Sequence, residues 1–328
     1  MLEFPSPLPS VGKIVFGCWA IGGWHWGKTD DDQSIAAIHA ALEHGISSFD
    51  TAPVYGFGRS EEVLGRALAG KRNLAFIATK AGLRWDDSSG KKFFDTRFEG
   101  RNYEVFRNLR ESSILLECET SLRRLKTDRI DLYQIHWPDP TCPMEEAARA
   151  FEKLIVQGKI RFAGVSNFTV QMMVDWRKIS DVPLLFDQER YSLLDRKIEK
   201  NNLPYCAKNK IGLLAYEPLA QGLLTGKMDG SRVFSEGDAR AHRPEFEKSR
   251  LESLNQLLAS LRPLCEKYSC TIASLAIAWV LSHRGVAGAI CGIRTPEQAE
   301  ENARASLLRP EIPDLETLSK RLNVKTKD

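Results

Sequence analysis

Residues 49–68 read FDTAPVYGFGRSEEVLGRAL. The stretch opens on the last residues of a short apolar run, 46–50, and closes as an amphipathic helix. Ser60-Glu61-Glu62 places a cap and acids in the first turn, Val63, Leu64 and Ala67 share one face, and Gly70 ends the helix. A buried strand that passes through a loop into a helix is one βα unit. The same grammar repeats along the chain. Candidate strands lie at 14–18, 46–50, 74–80, 132–136, 160–166, 184–188, 212–216 and 287–291. Each is short and nearly continuous in apolar side chains, the pattern of parallel strands buried on both faces. Helical patterns fall between them. Ile35, Ile38 and Leu42 follow the caps Asp30-Asp31-Asp32, and Leu115, Cys118, Leu122 and Leu125 repeat at helical spacing. Further helices are predicted at 144–157, 170–178, 203–209, 247–268, 271–283 and 296–305. Eight units in strict alternation predict right-handed crossovers and a single (β/α)8 barrel domain over residues 1–328. A doubly wound open sheet is the competing architecture. The long connections 82–102 and 221–246 both follow strands, where loops shape a site.

Composition excludes several classes. Hydrophobic residues make up 43% and charged residues 27% of the chain, as in ordinary globular proteins. A net charge of +3 without a basic block predicts no nucleic-acid partner. Seven scattered cysteines with no C-x-x-C predict reduced thiols, hence a cytoplasmic setting. The start, MLEFPSPLPSVGK, has no apolar core and does not read as a signal peptide. No apolar stretch is long enough to span a bilayer, and nothing predicts an obligate interface, so a monomer is expected.

The predicted strands end on polar residues: Asp50, Lys80, His136, Ser166-Asn167, Gln188 and Tyr216-Glu217. A buried strand has no need of such tips. In a barrel they converge on one mouth. Each has a plainer reading: Asp50 as a turn cap, Lys80 as a solvated charge, His136 and Tyr55 as packing. Together they form an acid–base set. A phenol with an ordinary pKa of about 10 is a poor acid near neutrality. A nearby lysine lowers it, a carboxylate holds the lysine charged, and an imidazole positions a substrate oxygen. The set suits protonation of a carbonyl oxygen as it gains charge. No G-x-S-x-G nucleophile and no metal-ligand spacing occurs, so no metal is expected. Gly56-Phe57-Gly58 imitates a dinucleotide fingerprint, but position 61 is Glu61, and Glu61 and Glu62 occupy the helix start where a pyrophosphate would sit. The glycines therefore read as turns.

Over nearly its whole length the sequence resembles the aldo-keto reductase superfamily. The segments that carry the likeness are FGCWAIGG, FDTAPVYGFGRSEEVLGRAL, ATKAG, SLRRLKTDRIDLYQIHWPDP, GKIRFAGVSNF, YEPLAQGLLTGK and GIRTPEQAEENA. GCWAIGGWHWGKTDDD and QIHWPDP are most similar to its microbial general-stress and polyol-dehydrogenase branch. The resemblance implies an NAD(P)H-dependent reductase of aldehydes and ketones, with Asp50, Tyr55, Lys80 and His136 catalytic and Tyr55 the proton donor. It implies that Gly17, Cys18 and Trp19 border the nicotinamide, that Ser166, Asn167 and Gln188 hold its carboxamide, and that Tyr216 stacks on its ring. Pro218, Leu219, Gly222, Leu224, Gly226 and Lys227 then cover the pyrophosphate. Gly292, Arg294, Gln298, Glu301 and Asn302 hold the adenosine end, with Arg294 facing a 2′-phosphate.

Several positions depart from the family. Cys18 stands in place of the usual threonine, loosening a contact to the nicotinamide ribose. Glu217 replaces a common serine and is expected to pair with Lys227 or Arg294. Gly292 replaces a common lysine, so preference for NADPH leans on Arg294, with NADH as an alternative cofactor. The tail after Asn302 is short, which leaves the pocket open. Trp24, Trp85 and Trp137, with Trp19, are expected to line a substrate pocket suited to apolar or aromatic aldehydes. The rival readings are a cofactor-binding regulatory subunit of the same fold, and a barrel enzyme using Lys80 as a Schiff base.

Overall fold

Eight parallel strands close on themselves in the computed structural model, which describes residues 11–322. Residues 1–10, which carry most of the signal-peptide reading, lie outside the described residues. The strands are β1 Ile14–Gly17, β2 Ser48–Asp50, β3 Phe76–Ala81, β4 Ile130–Ile135, β5 Ile160–Ser166, β6 Leu184–Arg190, β7 Gly212–Tyr216 and β8 Val286–Gly292. Each pairs with its neighbours in chain order, and β1 closes the ring by pairing with β8, from Ile14 against Ala289 to Gly17 against Gly292. The doubly wound alternative is thereby excluded. Among the described residues no helix is long and apolar enough to cross a membrane.

Strand periodicity explains where the polar tips go. Side chains of a strand alternate between faces. One set, including Phe16, Phe49, Ile77, Tyr133, Val165 and Ala215, packs outward beneath the helices. The other set, including Val15, Ala78, Leu132, Phe186, Leu214 and Ile290, fills the barrel interior as a separate apolar plug. Two residues further along the same inward faces stand Gly17, Lys80, Gln134, Gln188, Tyr216 and Gly292. The site is thus the top layer of the barrel filling.

The structure departs from expectation in three places. The connection 82–102 is no plain loop. It contains an antiparallel hairpin, Lys91–Phe98 with Arg101–Arg107, and a short strand Leu83–Arg84 pairs with the second arm. Glu99 and Gly100 both take positive φ (47° and 78°), as a two-residue hairpin turn of the mirror-image type requires. The predicted helix 247–268 is two helices, Lys248–Ala259 and Arg262–Lys267; Pro263, with no N–H to donate, sits in the first turn of the second. Past Asn302 the chain forms another helix, Ile312–Arg321, held to the outer layer by the Trp279 indole donating to Ser319 Oγ at 2.7 Å. No residue from 303 to 322 lines the cleft at the barrel mouth.

Candidate active site

At the centre of the mouth an ion pair is sealed from water. Lys80 is 0% and Asp50 2% exposed. The ammonium donates to Asp50 Oδ2 at 2.6 Å, to the carbonyl of Thr51 at 2.9 Å and to the Tyr55 hydroxyl at 3.2 Å. All three of its donors are used. The other Asp50 oxygen accepts from Gln188 Nε2 at 2.8 Å and Gln134 Nε2 at 3.3 Å. A buried charge pair is tolerated only when hydrogen bonds satisfy both partners in this way. Lys80 thus lies under the floor of the cleft and meets it through Asp50 and Tyr55, which both line it.

The segment 49–58 places Tyr55 over this pair. Gly56, Phe57 and Gly58 all take positive φ (66°, 55° and 106°). A Cβ on Gly56 would overlap the carbonyl oxygen of Gly22. The glycines are therefore turn residues, as their context implies. At the helix that follows, Glu61 is fully buried, accepting from Thr79 Oγ1 at 2.7 Å and Arg124 Nη1 at 3.2 Å. The Tyr55 ring stacks against Trp19 (6.0 Å, 28°) and meets His136 edge-on at 5.7 Å.

The electrostatics correct one expectation. The Lys80 ammonium beside it does not bring the Tyr55 pKa below the ordinary phenol value. Burial, with the negative charge of Asp50 second, raises it well above the ordinary phenol value. Asp50 offsets the cation, so the phenol sees a neutral pair inside a low-dielectric wall. Burial also lowers the Lys80 pKa, opposed by Asp50. Burial, helped by Lys80, pushes His136 well below its ordinary value and keeps the imidazole neutral.

A cleft of about 490 Å³ extends from this centre in two directions. One arm runs past Ser166, Asn167, Gln188 and Tyr216 toward Gly292, Arg294, Gln298, Glu301 and Asn302, which all line it with Pro218, Leu219, Gly222 and Lys227. Asn167, at φ 59°, donates to the carbonyl of His136 and accepts from the Tyr216 hydroxyl at 2.9 Å. Its amide thereby ties three strand ends together. Gly292 has open space where a side chain would stand. The other arm is aromatic and is lined by Trp19, Trp24, Phe93, Phe94 and Trp137.

Other expected residues fall elsewhere. Cys18 does not line the cleft: it is fully buried and its thiol faces the carbonyl of Phe16. Strand alternation points its side chain outward, one residue after inward-facing Gly17. Leu224 is fully buried in the core, and neither it nor Gly226 lines the cleft; Gln221, Thr225 and Met228 do. Trp85 packs on Phe57 and beneath the Arg124 guanidinium, behind the cleft wall. Glu217 pairs with Arg190 at 2.9 Å, not with Lys227 or Arg294. Lys227 pairs with Glu301, and Arg294 donates to the carbonyls of Trp26 and Lys28.

Some residues escaped the sequence reading. Gln134 had a usable signal: it stands two before His136 in a buried strand and so shares its face. Trp26, Phe93 and Phe94 had none, because the hairpin that presents two of them did not read as strand. Among the described residues no group of three or more His, Cys, Asp or Glu side chains stands close enough to hold a metal ion.

Comparison with known proteins agrees with this geometry. The model of the aldo/keto reductase family matches residues 13–320. The aldo-keto reductase YhdN of Bacillus subtilis is 42% identical over 293 residues, covering 88% of this chain and 83% of that protein. An NADH-specific methylglyoxal reductase of Escherichia coli is 35% identical, covering 90% of each chain. Among solved structures, a glycerol dehydrogenase from Gluconobacter oxydans superposes with a TM-score of 0.84 at 40% identity, over 96% of this chain and 94% of that one. An aldo-keto reductase from Klebsiella pneumoniae, solved with NADPH, superposes with a TM-score of 0.70 at 28% identity, over 94% and 90%. A closed barrel of eight strands, a buried Asp–Lys–Tyr cluster at its mouth and a family match along almost the whole chain lead to one assignment: this protein belongs to the aldo/keto reductase family of oxidoreductases.

Proposed function

We propose that the chain reduces aldehydes and ketones to alcohols, and runs the reverse oxidation, with NADP(H) as the preferred nicotinamide cofactor. One observation carries this: the Tyr55 hydroxyl lies 3.2 Å from a fully buried ammonium that Asp50 holds at 2.6 Å, at the floor of a two-armed cleft. The polar arm suits a dinucleotide. It offers amide and hydroxyl groups at Ser166, Asn167 and Gln188, an aromatic ring at Tyr216, open space at Gly292, and the cations Lys227 and Arg294 further out. When bound, the nicotinamide supplies the hydride. Tyr55 holds a proton across the neutral range and donates it to the carbonyl oxygen as negative charge develops there. Lys80 then stabilises the phenolate left behind, and Asp50 keeps Lys80 charged and aimed. Neutral His136 offers an imidazole nitrogen to the same substrate oxygen and orients it.

The NADPH preference is supported by Arg294, whose fork suits a phosphate, and by the NADPH complex of the Klebsiella relative. The NADH-specific Escherichia relative keeps NADH open as an alternative. The proposal includes a monomeric, cytoplasmic enzyme folded as one domain. One chain supplies every group of the centre, and all seven cysteines are free thiols. The regulatory-subunit reading is disfavoured by the complete acid–base centre. The Schiff-base reading is disfavoured because Lys80 has all three donors engaged and no exposed surface.

The test is Tyr55→Phe. It should lower kcat for a reactive aldehyde by roughly 10²–10⁴-fold, the range for loss of a general acid. NADP⁺ affinity should stay within about twofold. Turnover at the wild-type rate in that variant would refute the role.

A further inference from the structure

The hairpin after β3 carries an irregularity in its register. Lys92 pairs with Phe106 while Phe94 pairs with Val105, so Phe93 is an extra residue with no partner across the ladder. In a regular strand Phe93 and Phe94 would point to opposite faces. A bulge breaks that alternation. Both rings consequently line the cleft.

Each ring is fixed by a different neighbour. Phe94 stacks on Trp24 at 5.6 Å and 16°, and the Trp24 indole donates to Thr96 Oγ1, on the same hairpin arm, at 3.0 Å. Phe93 packs against Trp137 at 5.3 Å, under the Arg107 guanidinium at 4.9 Å. Arg107 Nη1 in turn donates to the carbonyl of Pro138. The hairpin is thus pinned to the loop after β1 on one side and to the loop after β4 on the other. Between those pins the aromatic arm holds no charged side chain. Apart from Asp50, every charged residue lining the cleft lies on segments from Glu217 to Glu301.

We propose that this bulged hairpin is the substrate-selecting wall, and that Phe93 and Phe94 together favour carbonyl compounds with a flat, apolar substituent, aromatic aldehydes first, over polyhydroxylated ones. The proposal rests on the reductase reading above. A planar apolar substituent packs against the adjoining Phe93 and Phe94 rings, 5.3 Å apart and tilted by 56°, and buries its surface there. A polyol buries hydroxyls against rings that cannot hydrogen-bond them, and each unpaired hydroxyl loses roughly one order of magnitude or more in binding. The similarity to a glycerol dehydrogenase makes the expectation a sharp one.

The experiment compares kcat/KM for benzaldehyde and for glyceraldehyde in wild type, in Phe93→Ala/Phe94→Ala and in the volume-keeping Phe93→Leu/Phe94→Leu. NADP⁺ binding, followed by tryptophan fluorescence, confirms that each variant is folded. The wild type should favour benzaldehyde. The ratio should fall about tenfold or more in the alanine pair, mainly through KM, and by an intermediate amount in the leucine pair. A ratio that stays within twofold while NADP⁺ still binds, or a wild type that favours glyceraldehyde, would overturn the selecting role and leave the reductase reading intact. A wild type that binds NADP⁺ and reduces neither aldehyde would overturn both.

Discussion

Asp50, Lys80 and Tyr55 act on one another through burial as much as through charge. Because burial and Asp50 raise the Tyr55 pKa, the phenol stays protonated below its shifted value, and the proton needed for reduction is lost only as pH rises past it. The pH profile of kcat/KM for reduction should therefore stay flat through pH 9, about one unit below the ordinary phenol value. An alkaline fall centred near pH 7–8 would show that Lys80, not burial, sets the acid. Asp50→Asn tests the other half of the pair. It leaves an ammonium with 0% exposure facing a neutral amide. Breaking a buried pair from one side costs about 3–5 kcal/mol. Denaturant unfolding should show that loss together with reduced turnover. Unchanged stability would mean that Lys80 sheds its proton instead. At this scale the sequence was legible where a residue type was out of place. Asp, Lys, His and Gln are conspicuous at the ends of apolar runs. Cys18 misled because it sits between two site positions while its own side chain turns away, and Trp85 because a loop tryptophan packs equally well on Phe57 behind the wall.

Loops between elements do what their backbone angles permit. The turn Gly56-Phe57-Gly58 brings Tyr55 against the Lys80 ammonium, and Gly56 passes so close to Gly22 that no side chain fits there. Gly56→Ala forces an alanine to φ 66°, which costs roughly 1–2 kcal/mol before any overlap is counted. The overlap is with backbone, so relief requires the two loops to separate and Tyr55 to move with them. The variant should melt lower than wild type and lose kcat more than tenfold, since small misplacements of a catalytic group are expensive. A variant with wild-type melting and turnover would show that the turn has room to relax. The eight βα units were legible because buried parallel strands and amphipathic helices carry different periods. The hairpin 91–107 was not. Its strands are exposed or half-buried at every position but Val105, so no buried apolar run marks them, and the bulge at Phe93 breaks the alternation that remains. The segment that most shapes the aromatic arm was thus the one with the least periodic sequence.

A closed barrel has no edge at which to come apart. The β1–β8 pairing joins residues 14–17 to residues 289–292, so the barrel's first and last strands depend on each other. The cleft repeats that economy: Gly17, Tyr55, Asn167, Tyr216 and Arg294 line it from five different parts of the chain. A ligand that touches all of them stabilises the whole ring. The strap formed by residues 221–246 adds to this, since Ala239 N–H donates to the carbonyl of His25 and the Arg240 guanidinium lies over the Trp26 ring at 4.6 Å. It follows that thermal unfolding should be one cooperative transition by fluorescence and by circular dichroism alike. NADP⁺ at a hundred times its Kd should stabilise that single transition by about 2.7 kcal/mol. For a chain of this length that displacement is several degrees, well within measurement. Two transitions, of which NADP⁺ moves only one, would divide the barrel into independent halves, and the proposed single domain would have to be abandoned even though the ring of strands is closed.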